Sequence, residues 1–357
     1  MLVRQIELVN FRSYEQAKFE LHPDLTLVVG PNASGKTNLL EALYVLALTR
    51  SFRAKDVDLV RHGTGFYRVA VSASDNNELA IGYKSTNGVT EKRVTHGRTR
   101  KTLAAHIGKL PVVLFEPNDL WLLSGPPDQR RKYLDILLSQ TDPQYLAALT
   151  DYRHVLKQRN RLLDDEWLAR QQVFAWDMQL SQAAAVIYRA RLALIDYINS
   201  VITDVYRSIA GAPVELELAY KPTIEATDYA AEFPKALADN LNRDLAAGFT
   251  TIGPHREDFA VHFKDRSLGG VASRGEVRSV VLGLKLTEVK YLEQKREAKP
   301  ILLLDDVFSE LDSDRRGLLI KLLAGYQTVI TTTDADAVTS SLPPDYLVIK
   351  TAETKRA

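Results

Sequence analysis

The stretch Gly30-Pro-Asn-Ala-Ser-Gly-Lys36-Thr37 meets the phosphate-loop template G-x-x-x-x-G-K-[ST] at every fixed position. Before it, Leu25-Thr-Leu-Val-Val29 is a short β-branched apolar run that reads as a buried strand. After it, Asn38-Leu-Leu-Glu-Ala-Leu-Tyr-Val-Leu-Ala47 reads as an apolar helix. A glycine loop at such a junction gathers unpaired backbone N–H groups and the positive end of a helix dipole at one point. The loop is therefore expected to cradle nucleotide phosphates with Gly30, Pro31, Asn32, Ala33, Ser34, Gly35, Lys36 and Thr37. Gly30 and Gly35 let the backbone approach closely and turn through positive φ. Lys36 supplies the only charge expected to reach the β- and γ-phosphates, a catalytic role, and the Thr37 hydroxyl can ligate a metal. ATP and Mg²⁺ are the cofactors this implies. A glycine-rich turn carrying a surface lysine is the bland alternative, and the strand and helix on either side argue against it.

A second half of the site is expected far along the chain. Ile301-Leu-Leu-Leu304 reads as a buried parallel strand that delivers Asp305 and Asp306 at its C-terminal edge, where open α/β sheets bind ligands. Asp305 is assigned to Mg²⁺ and Asp306 to the attacking water, as the catalytic carboxylate. A strand ending in a polar turn would explain a lone Leu-Leu-Asp-Asp equally well. The complete phosphate loop in the same chain favours the functional reading.

At 357 residues the chain can hold more than one domain, and its ordinary share of charged residues, 25%, marks a globular protein. No apolar run approaches the ~18 residues that span a bilayer, and Met-Leu-Val-Arg-Gln-Ile-Glu lacks a signal-peptide apolar core. A cytoplasmic protein with no membrane partner is expected. The absence of cysteine excludes disulfides, thiolate metal sites and a cysteine nucleophile. With a formal net charge of +1, any binding to nucleic acid must come from local basic patches.

Alternating or branched runs predict strands over 2–10, 17–21, 66–72, 78–83, 89–95, 214–218, 259–263, 328–332 and 346–350. Helical periods predict a lobe from Arg130 to about Ile209, and helices over 229–247, from about Gly275 to Glu297, and after Asp314. The expected fold class is an α/β P-loop ATPase core split in sequence by a mostly helical lobe. Its expected parts are core residues 1–125, a lobe over 126–247, and core residues 248–357.

The order of the remaining motifs carries a resemblance. Ser273-Arg-Gly-Glu276 opens a helix before the paired carboxylates, and Ser309-Glu-Leu-Asp312 follows them. This order is similar to that of the ATP-binding-cassette (ABC) ATPases in their SMC-like DNA-repair branch: Walker A, signature, Walker B, D-loop. Asn10-Phe-Arg-Ser-Tyr14, Thr37-Asn-Leu-Leu-Glu-Ala42, Arg50-Ser-Phe-Arg53, Gly125-Pro-Pro-Asp-Gln-Arg-Arg131, Lys157-Gln-Arg-Asn160 and Gly253-Pro-His-Arg256 extend it nearly end to end. Together they resemble the RecF family of bacterial recombination mediators. The resemblance implies an ATP-bound homodimer in which Ser273, Gly275, Glu276 and Asp312 complete the nucleotide site of the opposite subunit. It also implies binding to double-stranded DNA at junctions with gapped single strands, and partnership with RecR and RecO in loading RecA. A slow, DNA-stimulated ATPase serving as a switch is expected, since a switch histidine is missing from Val329-Ile-Thr-Thr-Thr-Asp334 and Asp306 stands where transporters carry glutamate. Glu116 is the candidate for the Q-loop role.

Ser273-x-x-Glu276 is also a capping box, which needs no ligand. Among basic residues, Arg153, Lys157 and Arg161 recur every four positions and form one helical stripe, and Arg130-Arg131-Lys132 and Lys92 through Lys101 form two further clusters. Arg130, Arg131, Arg153, Lys157 and Arg161 are the candidate DNA contacts, against the alternative of a solvated face. His255 and Arg256 line the site or simply make a structural turn. The ATPase subunit of a membrane transporter is the rival function and a small-molecule P-loop kinase a third, and the signature, D-loop and long basic insertion weigh against them.

Overall fold

The inner strands of the parallel sheet in this chain are runs buried without alternation, and most alternating runs join antiparallel sheets. The computed structural model describes every residue except 74–76, 212–213, 264–265, 268–271, 336–338, 340–341 and 352–357, and the side chains of 266, 267, 309, 310, 313 and 314. In chain order the elements begin β1 (Val3–Phe11), β2 (Tyr14–Glu20), β3 (Leu25–Val29), α1 (Lys36–Leu48), β4 (Phe66–Ala73), β5 (Glu78–Thr86), β6 (Val89–His96), β7 (Thr99–Lys101), α2 (Leu103–His106) and β8 (Val112–Phe115). They continue with α3 (Trp121–Ser124), α4 (Pro127–Thr141), α5 (Pro143–Leu162), α6 (Glu166–Ala210), β9 (Leu216–Lys221), α7 (Tyr229–Asp239), α8 (Leu241–Ala247), β10 (Asp258–Phe263) and β11 (Arg266–Ser267). The last are α9 (Arg274–Arg296), β12 (Ile301–Asp305), α10 (Ser313–Leu323), β13 (Thr328–Thr332) and β14 (Leu347–Lys350).

Two compact units result: Met1–Asp119 with Glu288–Ala357, and Leu120–Thr287. The first holds both large sheets. Its parallel sheet has the order β14-β3-β13-β12-β8. The inner strands β3, β13 and β12, apolar or β-branched at almost every position, are buried almost throughout, as strands covered on both faces are. The antiparallel sheet has the order β2-β1-β4-β5-β6-β7. Helix α1 contacts strands of both sheets and buries eleven of its thirteen residues, which explains its lack of a polar face.

In the second unit α5, α6 and α7 pack together, and β9, β10 and β11 form a small antiparallel sheet. The long helical stretch is broken where Asp142 and Asp165 accept hydrogen bonds from Gln144 N and Leu168 N and so start new helices. The single helix predicted over 229–247 is two, α7 and α8, joined at Asn240. The unit runs to Thr287, whereas the spacing predicts a boundary near 247. Two interactions explain the difference: β10 pairs with β9 along its whole length, and Tyr133 Oη donates to Leu284 O at 3.2 Å, tying α4 to the first half of α9. Strand β8 is an addition to the sequence reading, and Gly269-Gly270 lies outside the described residues.

Candidate functional site

The phosphate loop joins β3 to α1 at the C-terminal edge of the parallel sheet. Gly35, at the N-cap of α1, has φ 101°, and a Cβ there would meet Tyr14 Oη at 2.8 Å. Gly30 has no positive φ, so its need is space alone: a Cβ would run into Ser34 Oγ and Thr351 Oγ1. Ala33, φ 66°, is a second left-handed residue in the loop beside Gly35. Ser34 Oγ and Thr351 Oγ1 lie 2.6 Å apart, and Tyr14 Oη donates to Gly35 O at 3.2 Å, so the loop is braced from two sides. Burial pushes the Tyr14 phenol up to about 12, which keeps it a donor. Lys36 Nζ donates to Gly30 O (2.6 Å) and Pro31 O (2.9 Å). Burial lowers the Lys36 ammonium from the usual lysine value, and Asp306 and Asp305 oppose that shift.

The carboxylates of β12 arrive at the same point. Thr37 Oγ1 donates to Asp305 Oδ1 at 2.8 Å, although the two residues stand at opposite ends of the chain. Thr331, opposite Asp305 in the parallel register with β13, donates to the same oxygen at 2.7 Å and accepts from Asp306 N at 3.1 Å. Asp306 takes a left-handed conformation, φ 52°, which short polar side chains tolerate. A cleft of about 200 Å³ is lined by Asn32 to Asn38, Arg53, Asp305, Asp306, Thr331 and Thr333. Arg53 lines this cleft as a second cation beside Lys36. Strand β8 pairs with β12 in register Phe115 to Leu304, so Glu116 follows at the same sheet edge as Asp305.

Three motifs that carry the family resemblance meet behind the cleft. Glu41 of α1 accepts from Arg12 Nε (2.8 Å) and Nη2 (2.7 Å), from Arg53 Nη2 (2.9 Å) and from Ser51 Oγ (2.5 Å). Burial alone would raise Glu41, and these donors outweigh it, holding the carboxyl below its usual value.

Other expected site residues fall elsewhere. Ser273 and Glu276 form a reciprocal capping box on α9, Ser273 N to Glu276 Oε2 at 2.7 Å and Glu276 N to Ser273 Oγ at 3.3 Å. Gly275 lies in the first turn of that helix, and Asp312 caps α10 by accepting from Arg315 N at 2.9 Å. Arg130 makes a two-bond pair with Asp258 (2.7 and 2.9 Å) and Arg131 donates to Glu257 O, so both serve internal packing. Arg153 is exposed but bonded to Asp135 at 2.9 Å, while Lys157 and Arg161 are exposed on the same helix. Lys92 is tied to Asp56 and Thr49 O. His255 bonds Tyr152 Oη and Thr250 O, and burial pushes its imidazole down to about 4; it belongs to a structural turn. Spacing alone does not single out Thr331, Thr333 or Arg53. A clue to Thr331 and Thr333 is the run Thr331-Thr332-Thr333, three hydroxyl residues at the end of a buried strand and just past it.

Residues 2–353 match the family model described as RecF/RecN/SMC N terminal domain. The DNA replication and repair protein RecF of Moorella thermoacetica is 38% identical over 348 residues, 95% of this chain and 92% of that protein. The chain belongs to the RecF family. The RecF of Streptococcus agalactiae is likewise 38% identical, over 98% of this chain and 95% of its own length. A solved RecF structure, described as RecF-ATPrS in the RecFOR pathway, superposes with a TM-score of 0.89 at 31% identity, covering 99% of this chain and 96% of that one. The SMC head bound to the C-winged helix domain of ScpA shares the fold, with a TM-score of 0.55 at 14% identity. The ABC/SMC-like ATPase fold expected from motif order is the fold found.

Proposed function

We propose that this RecF-family chain is an ATP-dependent DNA-binding repair protein. Its ATP-bound homodimer binds double-stranded DNA at junctions with gapped single strands and helps load RecA with RecO and RecR. The observation that carries the nucleotide part is the meeting of Thr37 Oγ1 and Asp305 Oδ1 at 2.8 Å beside Lys36. Two hard oxygen donors at a phosphate loop suit Mg²⁺, which takes one or two protein ligands and completes its shell with phosphate and water. Thr37 and Asp305 would hold it, and the bound ion would neutralise charge on the phosphates. Lys36 and Arg53 add fixed positive charge, the loop N–H groups bind phosphate oxygens, and Asp306 orients the attacking water. In the dimer the capped start of α9 presents Ser273 and nearby N–H groups to the partner's terminal phosphate. The capping box supports this role, because Ser273 Oγ accepts from Glu276 N and its own hydrogen can still be donated. Slow hydrolysis then resets the pair, which makes the protein a switch. The family relatives named for DNA replication and repair, and the RecF structures described with ATP and an ATP analogue, support the reading. The test is light scattering of the full chain with Mg²⁺: a monomer without nucleotide and a dimer with ATP are expected, with gapped DNA retained only by the dimer. A chain that stays monomeric at saturating ATP, with and without DNA, overturns it.

A further inference from the structure

Glu41 sits one helical turn after Thr37, and its side chain is 0% exposed. A carboxylate at that depth is costly unless charges and hydrogen bonds surround it. Here four donors from Arg12, Ser51 and Arg53 occupy its two oxygens, two on each. This matches the capacity of a carboxylate. Two guanidiniums against one carboxylate leave a net positive charge. The side of the cluster that meets the cleft is Arg53, which lines the cleft beside Lys36. The Arg53 side chain uses Nη2 for both of its described hydrogen bonds, to Glu41 Oε2 and to Asn38 Oδ1 (2.7 Å). Nε and Nη1 are left to donate single charge-assisted hydrogen bonds to a phosphate. Asn38 is fixed in turn by Ser13 Oγ at 2.9 Å, so the wall is held from both sides.

We infer that Glu41 is a positioning residue for nucleotide phosphate: it sets Arg53 at the cleft and balances Arg12 behind it, and acts on ligand only through Arg53. The inference rests on the nucleotide-binding reading above. Without the Glu41 charge, Arg12 and Arg53 repel each other and Lys36, and Arg53 loses its anchor. The experiment is calorimetric titration of the full chain with ATP and Mg²⁺, with melting temperatures of each variant measured alongside. Glu41→Gln is expected to weaken ATP binding roughly tenfold, and Glu41→Asp, which keeps the charge, to recover part of it. Arg53→Gln should weaken binding to a similar degree, and adding Glu41→Gln to it should change nothing further, since the group to be positioned is gone. Wild-type ATP affinity in Glu41→Gln, or the same added loss in the Arg53→Gln background, overturns the inference. If Glu41→Gln does not fold, Ser51→Ala replaces it in the cycle, with an expected loss of about threefold that vanishes beside Arg53→Gln. An unchanged affinity or an additive loss there also overturns it. A wild-type chain that binds no ATP overturns the underlying nucleotide reading instead.

Discussion

Thr331 shows how much of this site depends on sheet register. Its hydroxyl is fully buried, yet it donates to Asp305 and accepts from Asp306 N, so one side chain ties the Asp305 carboxylate to the Asp306 backbone. No local spacing links Thr331 to Asp305; their adjacency comes from β12 pairing with β13, which a sequence displays only as two separate strand-like runs. Lys36, Thr37, Asp305 and Asp306 are legible because each lies inside a short run whose spacing reflects chemistry. Arg53 and Glu41 are visible only as parts of motifs, since their roles come from tertiary contact. Lys36→Met is expected to weaken ATP binding by at least roughly tenfold, the worth of a charge-assisted hydrogen bond, and some affinity should remain because Arg53 shares the cleft. Titration with ATP checks this, and unchanged affinity would remove the central assignment. Asp306→Asn keeps the size of the side chain and removes its basicity, so hydrolysis should slow while ATP still binds. Single-turnover kinetics would show it, and a normal rate would assign the water to another group.

Elements differ in how openly they can be read. Helix α1 and strands β3, β12 and β13 are clear, because buried parallel strands are short apolar or β-branched runs and turn chemistry bounds them. Strand β8 is not: Val112-Val-Leu-Phe115 is four residues between Pro111 and Pro117, too short to show a period. Its place beside β12 puts Glu116 at the same sheet edge as Asp305. The start of α9 illustrates a motif with two readings that geometry makes compatible. The capping box is formed, and Ser273 within it is exposed, so a capped helix start remains open to a ligand. Two substitutions separate the roles. Ser273→Ala should cost about 1 kcal/mol of stability, the usual worth of an N-cap, and lower the melting temperature slightly. Ser273→Arg should leave ATP binding by the monomer intact and prevent the ATP-dependent dimer, because bulk and charge enter the interface. A dimer that persists in light scattering with Ser273→Arg would leave the serine with its capping role alone.

At the scale of the whole molecule, a net charge of +1 means that DNA affinity must come from how basic residues are distributed. Internal pairing ties down two of them. Arg159, fully buried within the basic stretch of α5, bonds Asp177 at 2.6 Å and Asp244 at 2.7 Å, and Arg130 is held by Asp258. A four-residue spacing reports which side chains share a helix face, but says nothing of which are already committed to partners inside the fold. On α5 the exposed members of the stripe are Arg153, Lys157 and Arg161, and Arg153 carries Asp135 with it. Replacing Lys157 and Arg161 with glutamine should therefore weaken DNA binding without changing the melting temperature. The steepness of the salt dependence, d log K/d log[salt], should fall by up to about 0.9 for each phosphate that is no longer neutralised. Arg130→Gln should do the reverse: breaking a half-buried pair destabilises the unit, while the slope stays that of the wild type among the molecules that remain folded. Binding of gapped duplex measured from low to moderate salt, with ATP present, distinguishes the two patterns. An unaltered slope after removing Lys157 and Arg161 would make that stripe an ordinary solvated face and send the search for the DNA surface to the basic β6–β7 hairpin, where Arg98 and Lys101 are exposed.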